Sequence, residues 1–182
     1  MLKFRFLKLA RYKGVPIYSH WSLSLALFVI LIFGISSPAL FLFAFTSWLI
    51  MLIHELGHMF VASRLGLNTL KIELYPFHGL CHYEMSENDY ENYLVAWGGV
   101  AAQALIFIPL IILHQVFGKD LPGILILVVM FLGYFSALIA LVNLLPSKGL
   151  DGATCWKALP IYFNKRNTRK SKKKGKKFKV IK

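Results

Sequence analysis

Acidic residues and cysteines are both scarce in this chain of 182 residues. Eight Asp and Glu stand against 21 Lys and Arg, for a net charge of +13. The two cysteines, Cys81 and Cys155, form no C-x-x-C pair. Both fall in segments read below as cytoplasmic, which argues for free thiols and against a disulfide framework. Charge is missing altogether from three long runs: 14–54, 92–118 and 121–147 contain no Lys, Arg, Asp or Glu. With 57% hydrophobic residues and a mean hydropathy of +0.60, this excludes a soluble globule. No internal repeat is visible. The first run is too long for a signal peptide, and no small-residue cleavage site follows it.

A membrane helix needs about 20 apolar residues. The second and third runs each accommodate one helix. The first spans 41 residues and is divided by "ISSPA" at 35–39. Four transmembrane helices are therefore expected, at about 18–35, 39–63, 93–117 and 122–145. Between the second and third, "LKIELYPFHGLCHYEM" (70–85) alternates, is rich in strand formers and carries Pro76 and Gly79 near its centre. It reads as a β-hairpin at the membrane surface. Residues 1–13 read as an interfacial anchor or an edge strand. Gly66 is placed to cap the second helix, and "SENDYEN" (86–92) is an acidic, capped lead into the third. The expected fold class is an all-α integral membrane protein of about four transmembrane helices with a small membrane-surface β-hairpin or sheet. Residues 1–163 form the membrane-embedded domain, and 164–182 a basic, disordered tail.

Positive charge is concentrated at the two ends. Lys3, Arg5, Lys8, Arg11 and Lys13 precede the first helix, and eleven Lys or Arg lie between 165 and 182. The positive-inside bias puts both termini in the cytoplasm of a multi-pass cell-membrane protein. The tail adjoins a membrane domain and has no aromatic interleaving beyond Phe178, so its expected partner is anionic lipid rather than nucleic acid.

Within the first apolar run stands "LIMLIHELGHMFVASRLG" (49–66). Ionisable groups inside a membrane segment are costly and default to function. His54 and His58, four residues apart, share one face of a helix, with Glu55 about 100° round from His54. H-E-x-x-H is the zinc-hydrolase arrangement: two imidazole ligands, and a carboxylate that takes a proton from metal-bound water. Catalytic zinc takes a third protein ligand and keeps an open position. His54 lies about ten residues from the cytoplasmic end of its helix, hence roughly 15 Å or less from that surface. The fourth helix returns to the same side. Asp151 follows it, the only acid after Asp120, in a segment broken by Pro146, Gly149 and Gly152. Irregular backbone of that kind is tolerated where it lines a wet cavity. A helix-capping aspartate is the plain alternative for Asp151. The proposed metal set is thus His54, His58 and Asp151, with Glu55 catalytic and one Zn2+ per chain.

HELGH on the second helix (His54–His58), with Asn143, Pro146, Leu150, Asp151 and Gly152 in N-x-x-P-x-x-x-L-D-G, resembles the site-2 protease family of intramembrane zinc metalloproteases. "GVPIYSHWS" and "LYPFHG" are similar to its compact bacterial and archaeal branch, which includes the protease that activates a sporulation sigma factor. The resemblance implies that His54, His58 and Asp151 bind zinc, that Glu55 is general base and later proton donor, that Asn143 helps hold substrate, and that the 70–85 hairpin pairs with an unwound transmembrane protein substrate. A regulatory membrane partner is left open. Gln103 stands where family members often carry an asparagine in the third helix, and its role is left open.

His20 and His114 read as interfacial. His78 and His82, which flank Cys81, read as solvent-facing rather than as a second metal site. The competing class is a non-catalytic zinc-binding membrane scaffold or a metal transporter. A transporter would more naturally spread ionisable residues through several helices, whereas here they cluster. A pseudoprotease would be expected to have lost Glu55. If the three-ligand reading is right, the wild type in detergent should carry about one zinc per chain and Asp151→Ala clearly less, by elemental analysis. Equal zinc in both would remove Asp151 from the ligand set.

Overall fold

The computed structural model describes residues 6–34, 37–76, 78–157 and 160. The basic tail, and the domain boundary expected at 163–164, lie outside them. The chain opens with a hairpin, β1 (Phe6–Tyr12) and β2 (Val15–His20). The two turn residues, Lys13 and Gly14, have φ of 48° and 86°, the positive values that a two-residue type I′ turn needs to match strand twist. β2 then pairs in parallel with β3 (Thr69–Leu74), and β3 pairs antiparallel with β4 (Gly79–Tyr83). The result is a four-stranded sheet in the order β1-β2-β3-β4. Phe6–Tyr12 thus form an edge strand, and the sheet is twice the size of the hairpin expected from 70–85 alone.

Four helices of two lengths accompany the sheet. α1 (Trp21–Gly34) has 14 residues, about 21 Å at 1.5 Å per residue, short of a hydrocarbon core of about 30 Å. α2 (Pro38–Arg64), α3 (Asp89–Phe117) and α4 (Gly123–Asn143) are long and apolar enough to cross a membrane. The count of full-length spans among the described residues is therefore three, not four. The cause is β2: the sheet claims Val15–His20, and the first helix begins only at Trp21. A short fifth helix, α5 (Gly152–Cys155), follows Asp151.

Local chemistry explains the ends. Pro38 starts α2 after Ser37, where its missing N–H costs nothing. Gly66, φ +78°, follows its end. The Asn88 side chain accepts from the Tyr90 N–H at 3.1 Å to cap α3, and Asp89 and Glu91 complement the N-terminal dipole. Inside α4, residues Val129–Phe135 widen into π-helical turns. There Tyr134 meets His114 at 3.1 Å and Gln115 at 2.8 Å, tying α4 to α3.

One face of the sheet is apolar. Ile17, Ile72 and Leu74 are buried against Leu23 of α1 and Met59 of α2. Burying each such side chain is worth about 1.5–3 kcal/mol, so the sheet is fastened to the root of α2. The opposite face is polar: Glu73 is bonded by Lys71 at 2.5 Å and His82 at 3.0 Å. The bundle itself is organised by α2 and α3. Gly57 and Gly98 meet backbone to backbone; a β-carbon on Gly98 would lie 2.6 Å from the Gly57 carbonyl oxygen, and one on Gly57 would strike the Gly98 carbonyl. Small residues at such a crossing permit close helix approach. Gly98→Ala should therefore push α2 and α3 apart and destabilise the protein by about 1–3 kcal/mol, read as a lower thermal unfolding midpoint in detergent. An unchanged midpoint would mean that the contact is not tight.

Candidate metal centre and active-site cavity

The close crossing sets α3 directly behind the H-E-x-x-H turn. His54, Glu55 and His58 are all buried. Val95, Gly99 and Gln103 follow one another at intervals of four, a single stripe along α3, and each serves a histidine. With Nδ1 protonated, His58 donates to the Val95 carbonyl at 2.7 Å, and His54 donates to Gln103 Oε1 at 3.0 Å. Gly99 provides room: a β-carbon there would lie 2.5 Å from His54 Cε1 and 2.6 Å from Nε2. Both Nδ1 atoms being committed, both Nε2 atoms turn inward.

Asp151 meets them. Its Oδ2 is 2.8 Å from His54 Nε2 and 3.3 Å from His58 Nε2, and the two Nε2 atoms are 3.0 Å apart. Two imidazole nitrogens and a carboxylate oxygen thus converge, a donor set of the kind that holds a cation. Zinc–nitrogen and zinc–oxygen bonds of about 2.0–2.1 Å in a tetrahedron give ligand–ligand edges of about 3.3 Å, and the observed triangle is close to one face of that tetrahedron. The donor set therefore fits a metal ion, and among the described residues it is the single group of His, Cys, Asp and Glu that does. Burial alone would raise the Asp151 carboxyl, but the hydrogen bonds and charges of His54 and His58 outweigh it and hold the group well below the usual carboxylate range.

The loop that carries Asp151 is held at both ends. Trp156 donates from its indole N–H to the Leu144 carbonyl at 2.6 Å, and Trp97 of α3 donates to the Cys155 carbonyl at 3.0 Å. The two indoles meet edge to face at 5.4 Å. Gly152 lies against the Leu144 and Leu145 carbonyls, where a β-carbon would collide. Asp151 occupies the N-cap position of α5, yet its side chain makes no capping bond. The plain alternative for this residue fails on that point.

A cavity of about 1000 Å³ opens onto the three groups and is walled by α1, α2, α4 and the β3–β4 turn. Leu27 and Ile30 of α1, Met51 of α2 and Leu138 of α4 make it apolar, and Asn143 lines it at the end of α4. Glu55 lines it too, and the backbone of Gly79 lies so close to the Glu55 carboxylate that a β-carbon would collide with it. Cys81 is a free thiol in the same wall; burial, followed by the charge of Glu55, pushes it up to about 12, leaving it neutral. His78 stacks on Tyr75 at 4.6 Å and His82 pairs with Glu73, so these two do not come together as a metal pair. His20 bonds Ser22 at 2.6 Å. What sequence reasoning missed is the supporting stripe. Its signal was present: the spacing Gly99-x-x-x-Gln103 repeats that of His54-x-x-x-His58.

No protein-family profile matches the chain. Two curated proteins do. A Synechocystis protein with the provisional name zinc metalloprotease sll0528 is 34% identical over 107 residues, 58% of this chain and 28% of that protein. Zinc metalloprotease MJ0392 of Methanocaldococcus jannaschii is 28% identical over 160 residues, 84% of this chain and 45% of that protein. Among solved structures, the site-2 protease from Methanocaldococcus jannaschii superposes with a TM-score of 0.64 and 26% identity, over 85% of this chain and 71% of that one. These likenesses support the resemblance to the site-2 protease family read from the sequence. It matches less than half the length of either curated relative. Gly99→Ala should displace the His54 ring and weaken metal binding at least tenfold, measured by chelator competition. Undiminished affinity would show that the ring has slack.

Proposed function

We propose that this chain is an intramembrane zinc metalloprotease. It would hydrolyse a peptide bond in a membrane-spanning or membrane-anchored protein near the cytoplasmic face, releasing a soluble fragment. The observation that carries this reading is the meeting of a carboxylate, two imidazoles and Asp151 at the wall of one apolar cavity. The names of the curated relatives support a zinc protease. His54, His58 and Asp151 would hold the ion. Zinc bound there supplies a Lewis acid that brings the pKa of a bound water to about 7 and polarises a carbonyl.

The chain's own groups would do the rest. Glu55, one residue from His54, accepts the proton of the attacking water and then gives it to the departing amide nitrogen. The leaving group departs as a neutral amine and the new terminus as a carboxylic acid, so protons balance. Asn143, which lines the same cavity, would hold the substrate backbone. β4 is an outer strand of the sheet, and its Gly79 end lies beside Glu55. An unwound substrate segment added to that edge would bring its carbonyl to the base. The apolar cavity walls exclude bulk water, which limits hydrolysis to what the site admits. In this reading the termini face the cytoplasm and the basic tail rests on anionic lipid.

Glu55→Gln separates catalysis from metal binding. It should keep zinc at about one per chain and slow cleavage of a co-expressed membrane-spanning substrate by roughly 10²–10⁴-fold. Wild-type cleavage by the zinc-loaded variant would sink the mechanism.

A further inference from the structure

Gln103 is an uncommon residue to find at the centre of α3. Its neighbours along the helix are apolar, and it is itself only 1% exposed. Its side chain uses one end only. Oε1 accepts from His54 Nδ1 at 3.0 Å, while Nε2 is buried with no partner among the described residues. A buried amide with one end unpaired is less stable in place than a leucine of similar volume. Something other than packing must favour it.

The two histidines are supported differently. His58 uses the main-chain carbonyl of Val95, which any residue at 95 would supply. His54 is served by no main-chain acceptor among the bonds observed; its Nδ1 partner is a side chain. We infer that Gln103 is the positioning residue of His54: its Oε1 fixes the ring with the proton on Nδ1 and the lone pair of Nε2 aimed at His58 and Asp151. Its one hydrogen bond among the described residues is to His54. Gly99, one turn earlier, leaves the ring the space to adopt this orientation. The metal site is thus built with α3 as well as α2, which gives the two imidazoles, one of them set by α3. Outer-shell acceptors of this kind orient a ligand imidazole and raise its basicity.

The inference rests on the metal-site reading, and the test separates the two. Zinc affinity is measured by chelator competition on purified wild type, Gln103→Leu, Gln103→Glu and His58→Ala in detergent, alongside thermal unfolding of each apo protein. Gln103→Leu should bind zinc roughly 10–100-fold more weakly while its apo unfolding midpoint stays at or above that of the wild type, because the unpaired donor is gone. Gln103→Glu, which keeps an acceptor at the same place, should hold affinity near the wild-type value. Wild-type affinity in Gln103→Leu overturns the positioning role alone, as does equal weakening in Leu and Glu variants that unfold like the wild type. If Gln103→Leu does not fold, Gln103→Met carries the same comparison. A wild type that binds no more zinc than His58→Ala overturns the metal site and the inference together.

Discussion

The contact between Gly57 and Gly98 governs the rest of the molecule. Two helix backbones touch where neither has a side chain, and this fixes the rotation and depth of α3 against α2. One residue along α2 from Gly57 is His58, and one along α3 from Gly98 is Gly99. The crossing therefore decides which residues of α3 the imidazoles meet. A displacement of even one methyl group would carry the Val95 carbonyl, the Gly99 gap and the Gln103 amide out of register with the rings they serve. In a bilayer, lipid tails are as apolar as leucine, so helix association relies on fit of this sort rather than on exclusion from water.

Much of this was legible in the sequence because rare things stand out. Ionisable residues in an apolar run are conspicuous, and the spacing of His54 and His58 states its own geometry. Asp151 was readable because acids are so few near the end of the chain and because topology returns that segment to the right side. Gly66 as a helix end and 86–92 as a capped lead into α3 followed from local chemistry. The supporting groups were harder. Val95 acts through its carbonyl, which any residue has, and Gly99 acts by lacking a side chain. Neither writes a distinctive letter. Gln103 was noticed, but its role depends on how α3 is turned, and no one-dimensional pattern states that.

The first membrane segment failed for a different reason. "VPIYSH" is apolar and β-branched enough to merge with the helix that follows it, and no turn separates them. Its pairing with β1 across the Lys13–Gly14 turn and with the distant β3 shows that these residues are a strand. The shortened α1 is the direct result. The π-helical stretch in α4 was likewise invisible, since Gly133 within it is a single glycine in an apolar run and does not announce widened turns.

The parallel pairing of β2 with β3 has a consequence for assembly. β1 and β2 are joined by a two-residue turn and can close on each other as soon as both exist. β3 lies some fifty residues further on, beyond α1 and the whole of α2. The sheet is therefore a high-contact-order element whose last seam waits for a helical hairpin to be in the lipid. Until then β2 presents an unpaired edge at the membrane surface, and β4, with the glycine that faces the carboxylate of Glu55, has nothing to dock against. The Gly79 end of β4 and the Glu55 carboxylate of α2 thus meet only once the chain has passed β3, with α3 and α4 still to come. Asp151, the third member of the donor set, comes later still, after both of those helices.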